Sequence, residues 1–278
     1  MNKQERIAIT IKNIVSKMMD RVMDNVLVND PFIKEKHHAS KPLYAALVPD
    51  EIFKGSHFER RFVTPFGRVW EQLAYVVALE AHGHCVMGHT IIGSVGSESL
   101  RRIQEVLNGL EHRKKGAEKI NPSWEEELIY IQQGGGNPIP TSITCDIFID
   151  SQENNLKYAV ELKGPLPNSD QTKVSKEKMF KLLAMYPKQV DYAYYALPYN
   201  PYGNKQDYQW DFPMRWFNMR EDSCVLIGNE FWDLVGGTGT YEYFIREINV
   251  LGKEYRERIY REFLEIEPPI NIKSYLLK

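Results

Sequence analysis

The spacing of apolar residues changes about halfway along the chain, and this change most limits the folds open to it. Up to about residue 135, apolar residues recur at intervals of three and four, as they do on amphipathic helices. Beyond that point, short β-branched and apolar runs alternate with one basic helical stretch. We therefore predict an α/β or α+β fold, with a central mixed β-sheet flanked by helices and a helical N-terminal half.

The composition is that of an ordinary globular protein. With 278 residues and 43% hydrophobic content, the chain can bury one substantial core. We predict a single domain over residues 1–278, in which 1–135 is mainly helical, 140–235 forms the sheet core and 239–267 forms a C-terminal helix. No run of about 18 apolar residues is present, so no membrane span is expected. Three scattered cysteines fit neither a disulfide framework nor a zinc knuckle and favour a cytoplasmic location.

Several stretches before residue 135 carry helix signals. Thr64 and Pro65 are suited to the cap and first turn of a helix that Gly83 ends. The remaining predicted helices of this part lie at 3–28, 97–115 and 123–133. A zinc site can be imagined from His82, His84, Cys85 and His89. Their irregular spacing and the neighbouring glycines favour a bend instead.

The second half begins with a predicted β-hairpin. "SITCDIFID" (142–150) and "LKYAVEL" (156–162) are short apolar runs, and the turn-like "SQENN" separates them. A basic helix at 173–187 and strands at 190–198 and 223–228 follow, before a long helix from about Tyr241 to Glu265.

The hairpin brings together the residues that carry the clearest chemistry. Alternation along a strand puts Glu161 and Lys163 on one face, and pairing through the turn can bring Asp146 beside Glu161. Two close carboxylates resist joint ionisation unless a cation lies between them, and Mg²⁺ takes one or two carboxylates while keeping positions for water and phosphate. An ammonium there can position or help to deprotonate an attacking water, which predicts metal-assisted phosphodiester hydrolysis.

Asp146 followed by Glu161-Leu162-Lys163 resembles the PD-(D/E)xK nuclease superfamily, particularly type II restriction endonucleases. The resemblance implies a restriction-endonuclease-like core, and Mg²⁺ held by Asp146, Glu161 and the Leu162 carbonyl. It also implies a supporting role for Glu71, which lies on a helix before the sheet. The alternative for Glu71 is an exposed glutamate of the kind that amphipathic helices routinely carry. "ELKGPLPNSDQ" is similar to the corresponding stretch of TdeIII-type enzymes, which implies cleavage within GGNCC.

Two alternatives at this motif stay open. Cys145 stands where the motif name has proline, which leaves Asp150 as a rival first acid. Asp146 is preferred because Asp150 adjoins the turn. An ExK triplet is also weak evidence by itself, since exposed strands often alternate charges, and a surface ion pair is the alternative to catalysis.

Polar loops and the basic helix are the expected DNA contacts. Turn-rich loops follow the strands on either side of that helix, and several of their side chains carry groups suited to base edges. The residues predicted to bind DNA are Asn168, Gln171, Lys173, Lys176, Asn204, Lys205 and Gln206. Taken singly, each is as well explained as a turn residue or part of a solvated helix face. Most of the tyrosines and tryptophans between 192 and 216 are expected in the core.

These observations predict a Mg²⁺-dependent restriction endonuclease that cuts double-stranded DNA at a short palindrome and leaves 5'-phosphate ends. Cutting both strands of a palindrome favours a homodimer, for which the first and last helices are candidate surfaces. A DNA methyltransferase is the expected genetic partner. A repair, recombination or RNA-directed nuclease with the same core, and a non-catalytic DNA-binding module, remain alternatives.

Overall fold

A computed structural model of the chain describes residues 3–112 and 120–269. The α-helices in these ranges are α1 (Lys3–Asp24), α2 (Lys34–Ser40), α3 (Pro42–Ala45), α4 (Asp50–His82), α5 (Ser97–Glu111), α6 (Trp124–Gln132), α7 (Ser169–Leu183), α8 (Asp211–Met214), α9 (Asn229–Gly236) and α10 (Thr240–Arg258). The strands are β1 (Cys85–Gly96), β2 (Pro138–Asp150), β3 (Lys157–Leu162), β4 (Met185–Tyr186), β5 (Tyr192–Leu197) and β6 (Val225–Ile227). Short π-helical segments follow α1 and α10 at Asn25–Asn29 and Ile259–Phe263.

The chain forms two compact units, one of Met1–Leu73 with Glu242–Lys278 and one of Ala74–Tyr241. The regular structure described in the first unit is helical, which agrees with the predicted helical N-terminal part. The end of the helix predicted at 97–115 falls on residues 113–115, which lie outside the described ranges. None of the helices within those ranges combines the length and the apolar character that a membrane-spanning helix needs.

In the first unit, the apolar stripe of α1 is buried. Ile11 and Val22 are among its residues with almost no exposed surface. Tyr255 of α10 is also buried, and its hydroxyl donates to the Ser16 carbonyl at 3.0 Å and to Asp20 at 2.8 Å. Helices α1 and α10 therefore contact each other within this unit, and the stripe is not an exposed face.

Helix α4 begins at Asp50, so the prediction that this helix starts at Thr64 and Pro65 was wrong. Pro65 lies inside the helix. The reason lies in an aromatic row at i,i+4 spacing that continues on both sides of the proline. Its ring centroids are 6.1 Å apart for Phe58–Phe62, 4.9 Å for Phe62–Phe66 and 5.2 Å for Phe66–Trp70. Such contacts stabilise the helix across a residue that lacks one backbone donor.

The second unit contains a mixed sheet with the strand order β4-β1-β2-β3-β5-β6. Strands β1, β2 and β3 are antiparallel neighbours, and β4 is antiparallel to β1. Strands β3, β5 and β6 are parallel neighbours. The predicted hairpin is confirmed as β2 and β3, and the predicted fold class of a mixed sheet with flanking helices is confirmed.

Strand β1 occupies the stretch for which the sequence predicted a bend. It pairs with β2 from Cys85 opposite Ile149 to Gly96 opposite Pro138. Glycines and polar residues interrupt its apolar pattern, so the strand has no clear period of two. Its pairing with a partner some 50 residues away along the chain outweighs this weak local signal, as tertiary context does for strands in general.

Helices α6 and α7 are joined by a buried ion pair. Lys176 of α7 has no exposed surface, and its ammonium contacts the Glu127 carboxylate and donates to the Trp216 carbonyl. The rings of Phe180 and Phe217 lie 5.4 and 5.0 Å from the same nitrogen. Burial raises the pKa of Glu127, so its ionised form depends on the lysine.

Replacing Lys176 by methionine should therefore destabilise the chain by about 3–5 kcal/mol, because a buried carboxylate loses its cation. The double variant Lys176→Met/Glu127→Leu should recover most of that loss. Urea unfolding of each variant measures the effect. The control is Lys188→Met, which breaks an exposed pair with Asp191 and should cost no more than about 1 kcal/mol. If Lys176→Met lost no more unfolding free energy than Lys188→Met, the assignment of Lys176 and Glu127 as a buried ion pair would be contradicted.

Candidate active site

Asp146 and Glu161 lie at the point where the pairing of β2 and β3 ends. Ile147 is paired with Val160, so Asp146 and Glu161 are the next residues outward on the two strands. Residues that face each other across antiparallel strands point to the same side of the sheet. Beyond the ladder, the Leu162 N–H donates a 2.8 Å hydrogen bond to Asp146 Oδ2, which fixes that carboxylate beside β3.

The Lys163 ammonium lies between the two carboxylates. Its Nζ is 2.7 Å from Asp146 Oδ2 and 3.2 Å from Glu161 Oε2. The backbone holds the lysine in place as well, because the Lys163 N–H donates to the Ala196 carbonyl of β5. The three side chains predicted from the sequence thus lie together at one edge of the β2–β3 pair.

Glu161 is buried and has further donors on α7. Its side chain is 2% exposed. Lys178 Nζ lies 2.9 and 3.1 Å from its two oxygens, and Ser175 donates to Oε2 at 3.3 Å. Ser175 and Lys178 are three residues apart, so one face of α7 presents both groups to the carboxylate.

The charges of this cluster determine its protonation states. Burial, followed by the charge of Asp146, raises the pKa of Glu161, while Lys163 and Lys178 act against that rise. Burial acts to lower the pKa of Lys163, but the two carboxylates together raise it above its ordinary value. Lys163 is therefore an ammonium at neutral pH in this arrangement, and it acts here as a cation rather than as a base.

The donor set fits a hard divalent cation. Two carboxylates converge on one point that a positive charge already occupies, in the form of the Lys163 ammonium. In the described ranges, no group of three or more His, Cys, Asp or Glu side chains is arranged to hold a metal ion. A pair of carboxylates suits Mg²⁺, which keeps several waters and binds through one or two carboxylates plus a phosphate. The Leu162 carbonyl remains a predicted third ligand.

Asp150, the rival first acid, lies at the other end of the strand pair. It is opposite Lys157, whereas Glu161 is opposite the position of Asp146. Four residues of strand separate the two aspartates, a distance of roughly 13 Å. Asp146 is therefore the acid that accompanies Glu161.

The histidines considered for zinc have other contacts. The ring of His82 is hydrogen-bonded to Ser151 Oγ at 3.0 Å and to the Leu234 carbonyl at 2.9 Å. His89 packs on the ring of Phe148 at 4.5 Å. These contacts are those of structural histidines.

Glu71, predicted to support the metal, lies on α4 within the first unit and is half-buried. Its position on a helix before the sheet agrees with the sequence expectation. Its contact with a metal remains a prediction.

The lysines of α7 that were expected to contact phosphates are paired with carboxylates inside the second unit. Lys173 is bound to Glu111, and Lys181 to Glu177 at 2.6 Å. Lys176 has no surface from which its ammonium can reach DNA, so we leave it out of the proposed DNA contacts.

The polar residues predicted to read bases lie mostly at the surface. Asn168 is exposed and caps α7 by accepting from the Gln171 N–H at 2.8 Å, and Gln171 is exposed as well. Asn204 and Gln206 are also exposed. The Lys205 ammonium is less available, because it donates to the Val225 carbonyl at 2.6 Å and is paired with Glu230.

The loops that carry these residues are joined to each other. The Tyr208 hydroxyl donates to the Pro165 carbonyl at 3.0 Å, and the Trp210 indole donates to the Pro167 carbonyl at 2.8 Å. The stretch after β3 and the stretch after β5 are therefore held together, and the first of them begins directly after Lys163.

Sequence reasoning missed the part that Lys178 and Ser175 play. Lys178 lies on the basic helix that the sequence favoured as a DNA contact, and nothing in the sequence singles out Ser175. The available signal is their i,i+3 spacing on the helix that follows the Glu161-Leu162-Lys163 triplet. That spacing shows that Ser175 and Lys178 share one face of the helix. It does not show that this face contacts Glu161, because the contact depends on how α7 packs on the sheet.

Comparisons with known proteins agree on one class of enzyme. The family described as "Type II restriction endonuclease, HinfI" matches residues 7–252. Three proteins of Herpetosiphon aurantiacus are also similar to the chain, namely type II restriction enzymes HgiCII (24% identical over 229 residues), HgiBI (25% over 238) and HgiEI (26% over 238). Each alignment covers 81% of this chain and 82% of the relative. The family match spans the whole carboxylate cluster.

The charge network predicts opposite effects of two substitutions on Glu161. Asp146→Asn removes a charge that raises the pKa of Glu161, so this pKa should fall. Lys178→Met removes a charge that lowers it, so it should rise, and Lys181→Met on the same helix should leave it unchanged. Titration of the Glu161 carboxyl carbon by NMR in the metal-free protein measures each value.

The raised pKa of Glu161 in the folded protein also has a consequence for folding stability. A raised folded-state pKa means that the native state binds the proton more tightly, so stability falls as pH rises from about 4.5 through the folded value. Lys178→Met should enlarge that fall. Equal pKa changes in the Lys178 and Lys181 variants would contradict the geometry.

Proposed function

Since the chain belongs to the HinfI family of type II restriction endonucleases, we propose that it cuts both strands of DNA at a short specific sequence by Mg²⁺-dependent hydrolysis. The observation that carries this proposal is the single ammonium of Lys163 held between the carboxylates of Asp146 and Glu161. Two carboxylates can hold a divalent cation, and that cation together with the Lys163 ammonium would suit the negative charge of a phosphodiester and of its transition state.

We assign the binding of the cation to Asp146 and Glu161, with the Leu162 carbonyl as a further ligand. Bound Mg²⁺ supplies a Lewis acid that polarises the phosphoryl oxygen and lowers the pKa of a coordinated water. Glu71 is the proposed supporting acid. These assignments agree with the PD-(D/E)xK pattern read from the sequence.

If Asp146 and Glu161 held the metal, Lys163 would give up its place between the two carboxylates. Its ammonium then orients the attacking water and offsets the charge that develops on the phosphoryl group. Lys178 and Ser175 keep their contacts with Glu161 during this change, so the carboxylate stays ionised and oriented. Lys178 therefore acts as a positioning residue for Glu161.

The joined loops and the start of α7 are the proposed base-reading surface. Asn168, Gln171, Asn204 and Gln206 are exposed and carry amides, which can pair bidentately with a base edge. Lys173 and Lys205 are paired with Glu111 and Glu230, so they can contact DNA only if DNA phosphates replace those carboxylates.

Several finer features belong to the proposal. We propose that the cleavage products carry 5'-phosphate ends. We also propose that the protein acts in the cytoplasm, with a cognate DNA methyltransferase as its genetic partner. The TdeIII-type assignment and the GGNCC site remain predictions, for which mapping of the cut sites is the test. A homodimer is still the simplest way to cut a palindrome. Its interface does not include the apolar stripe of α1, which is buried within the chain.

Incubation of the purified protein with plasmid and Mg²⁺ should give discrete, reproducible fragments. Lys163→Ala and Asp146→Asn should each lower the cleavage rate by at least about 100-fold while duplex binding is retained, because they remove chemistry rather than contacts. Lys157→Ala, an exposed lysine on the same strand, is the matched control and should cut at the wild-type rate.

Other outcomes separate the alternatives. Random or structure-dependent nicking would indicate a repair nuclease, and intact DNA with a retarded band would indicate a binding protein. Cleavage at the wild-type rate by either active-site variant would contradict the role assignment.

A further inference from the structure

A basic cavity in the first unit has no part in the site described above. Its volume is about 340 Å³, and it lies among α2, the loop before α2 and the first half of α4. The residues that matter here are Lys36, His37, Lys41, Phe53, Arg60 and Arg61, and we call it the α2–α4 cavity.

The cavity has an excess of positive charge. Four cationic side chains line it, against the single carboxylate of Asp30. Arg61 already binds Asp30, with its Nε at 2.8 Å, and holds the pKa of that carboxyl below its ordinary value. Within residues 3–112 and 120–269, no carboxylate lies at ion-pair distance from Lys36, Lys41 or Arg60, all of which are exposed.

The neighbouring carboxylate of Asp50 also has cationic partners. Asp50, at the start of α4, is bound by Lys34 at 2.6 Å and by His38 at 2.7 Å. The lysines of α7 show the opposite situation, because all four have a carboxylate partner. Among the described residues, cations without an ion-pair partner are therefore found around the α2–α4 cavity rather than along the helix that the sequence suggested.

A second observation points to a ligand. His37 Nε2 is buried and has no hydrogen-bond partner among the described residues. The His37 ring packs at 4.1 Å from Phe53 and 5.6 Å from Phe32, so it is held in place. A buried polar atom without a partner costs free energy, and an oxygen that accepts from Nε2–H would remove that cost.

We propose that the α2–α4 cavity binds a phosphate of the DNA backbone. Guanidinium and ammonium groups around an imidazole donor match the oxygens of a phosphodiester, and Arg60 can bind it bidentately. The net charge of the chain is -2, so attraction of a polyanion has to come from a local patch of this kind. The contact is independent of base sequence and strengthens binding without selecting the site.

This inference rests on the proposed function, and its test is equilibrium binding to a duplex at several salt concentrations without Mg²⁺. In the triple variant Lys36→Gln/Lys41→Gln/Arg60→Gln, the slope of log affinity against log salt should become shallower by about one. Affinity at 50 mM salt should fall roughly tenfold, equally for cognate and unrelated DNA. The cleavage rate at saturating DNA should be unchanged.

The matched control is Lys12→Gln/Lys17→Gln/Arg21→Gln, which removes the same charge from exposed residues of α1. A smaller effect of the control supports the proposal, and equal effects of the two variants overturn it. If inorganic phosphate stabilises the wild type but not the cavity variant while their DNA affinities match, the cavity binds a free anion and the proposal is wrong. Wild-type protein that neither binds nor cuts DNA would instead refute the proposed function itself.

Discussion

The central interaction in this protein is the contact of one buried carboxylate, Glu161, with two ammonium groups. A carboxylate with 2% exposure is costly to ionise, and the neighbouring Asp146 raises that cost. Lys163 and Lys178 offset it from opposite elements, one from the end of β3 and one from α7. The two lysines differ in the carboxylates that they contact. Lys163 is shared with Asp146, whereas Lys178 has Glu161 as its one carboxylate partner in the part of the chain that the structure describes.

The distribution of ion pairs explains how a chain with little net charge can serve a polyanionic substrate. The lysines of α7 support the fold and the site, and Lys176 does so from a position with no exposed surface. Among the described residues, cations without an ion-pair partner lie around the α2–α4 cavity, where we propose a phosphate contact. A basic sequence run is therefore a poor guide to a binding face, because long side chains reach carboxylates on neighbouring elements.

Much of the catalytic core was predictable because its signals are local. The β2–β3 hairpin follows from two apolar runs and a turn, and strand alternation correctly placed Glu161 and Lys163 together. Strand β1 was not predictable, since its glycine-rich sequence is stabilised by β2 far along the chain. The same holds for Lys178, whose partner depends on the packing of α7. The early start of α4 was missed because Pro65 was read as a helix start, although the aromatic row extends past it.

The most direct test of this account is a crystal structure with Mn²⁺ in place of Mg²⁺, in which anomalous scattering locates the ion. A peak is expected within coordination distance of one oxygen of Asp146 and one of Glu161. Lys163 should have moved away from at least one of them, and Lys178 should still be bound to Glu161. A peak elsewhere, or none at the carboxylates with Lys163 still bound to both, would contradict it.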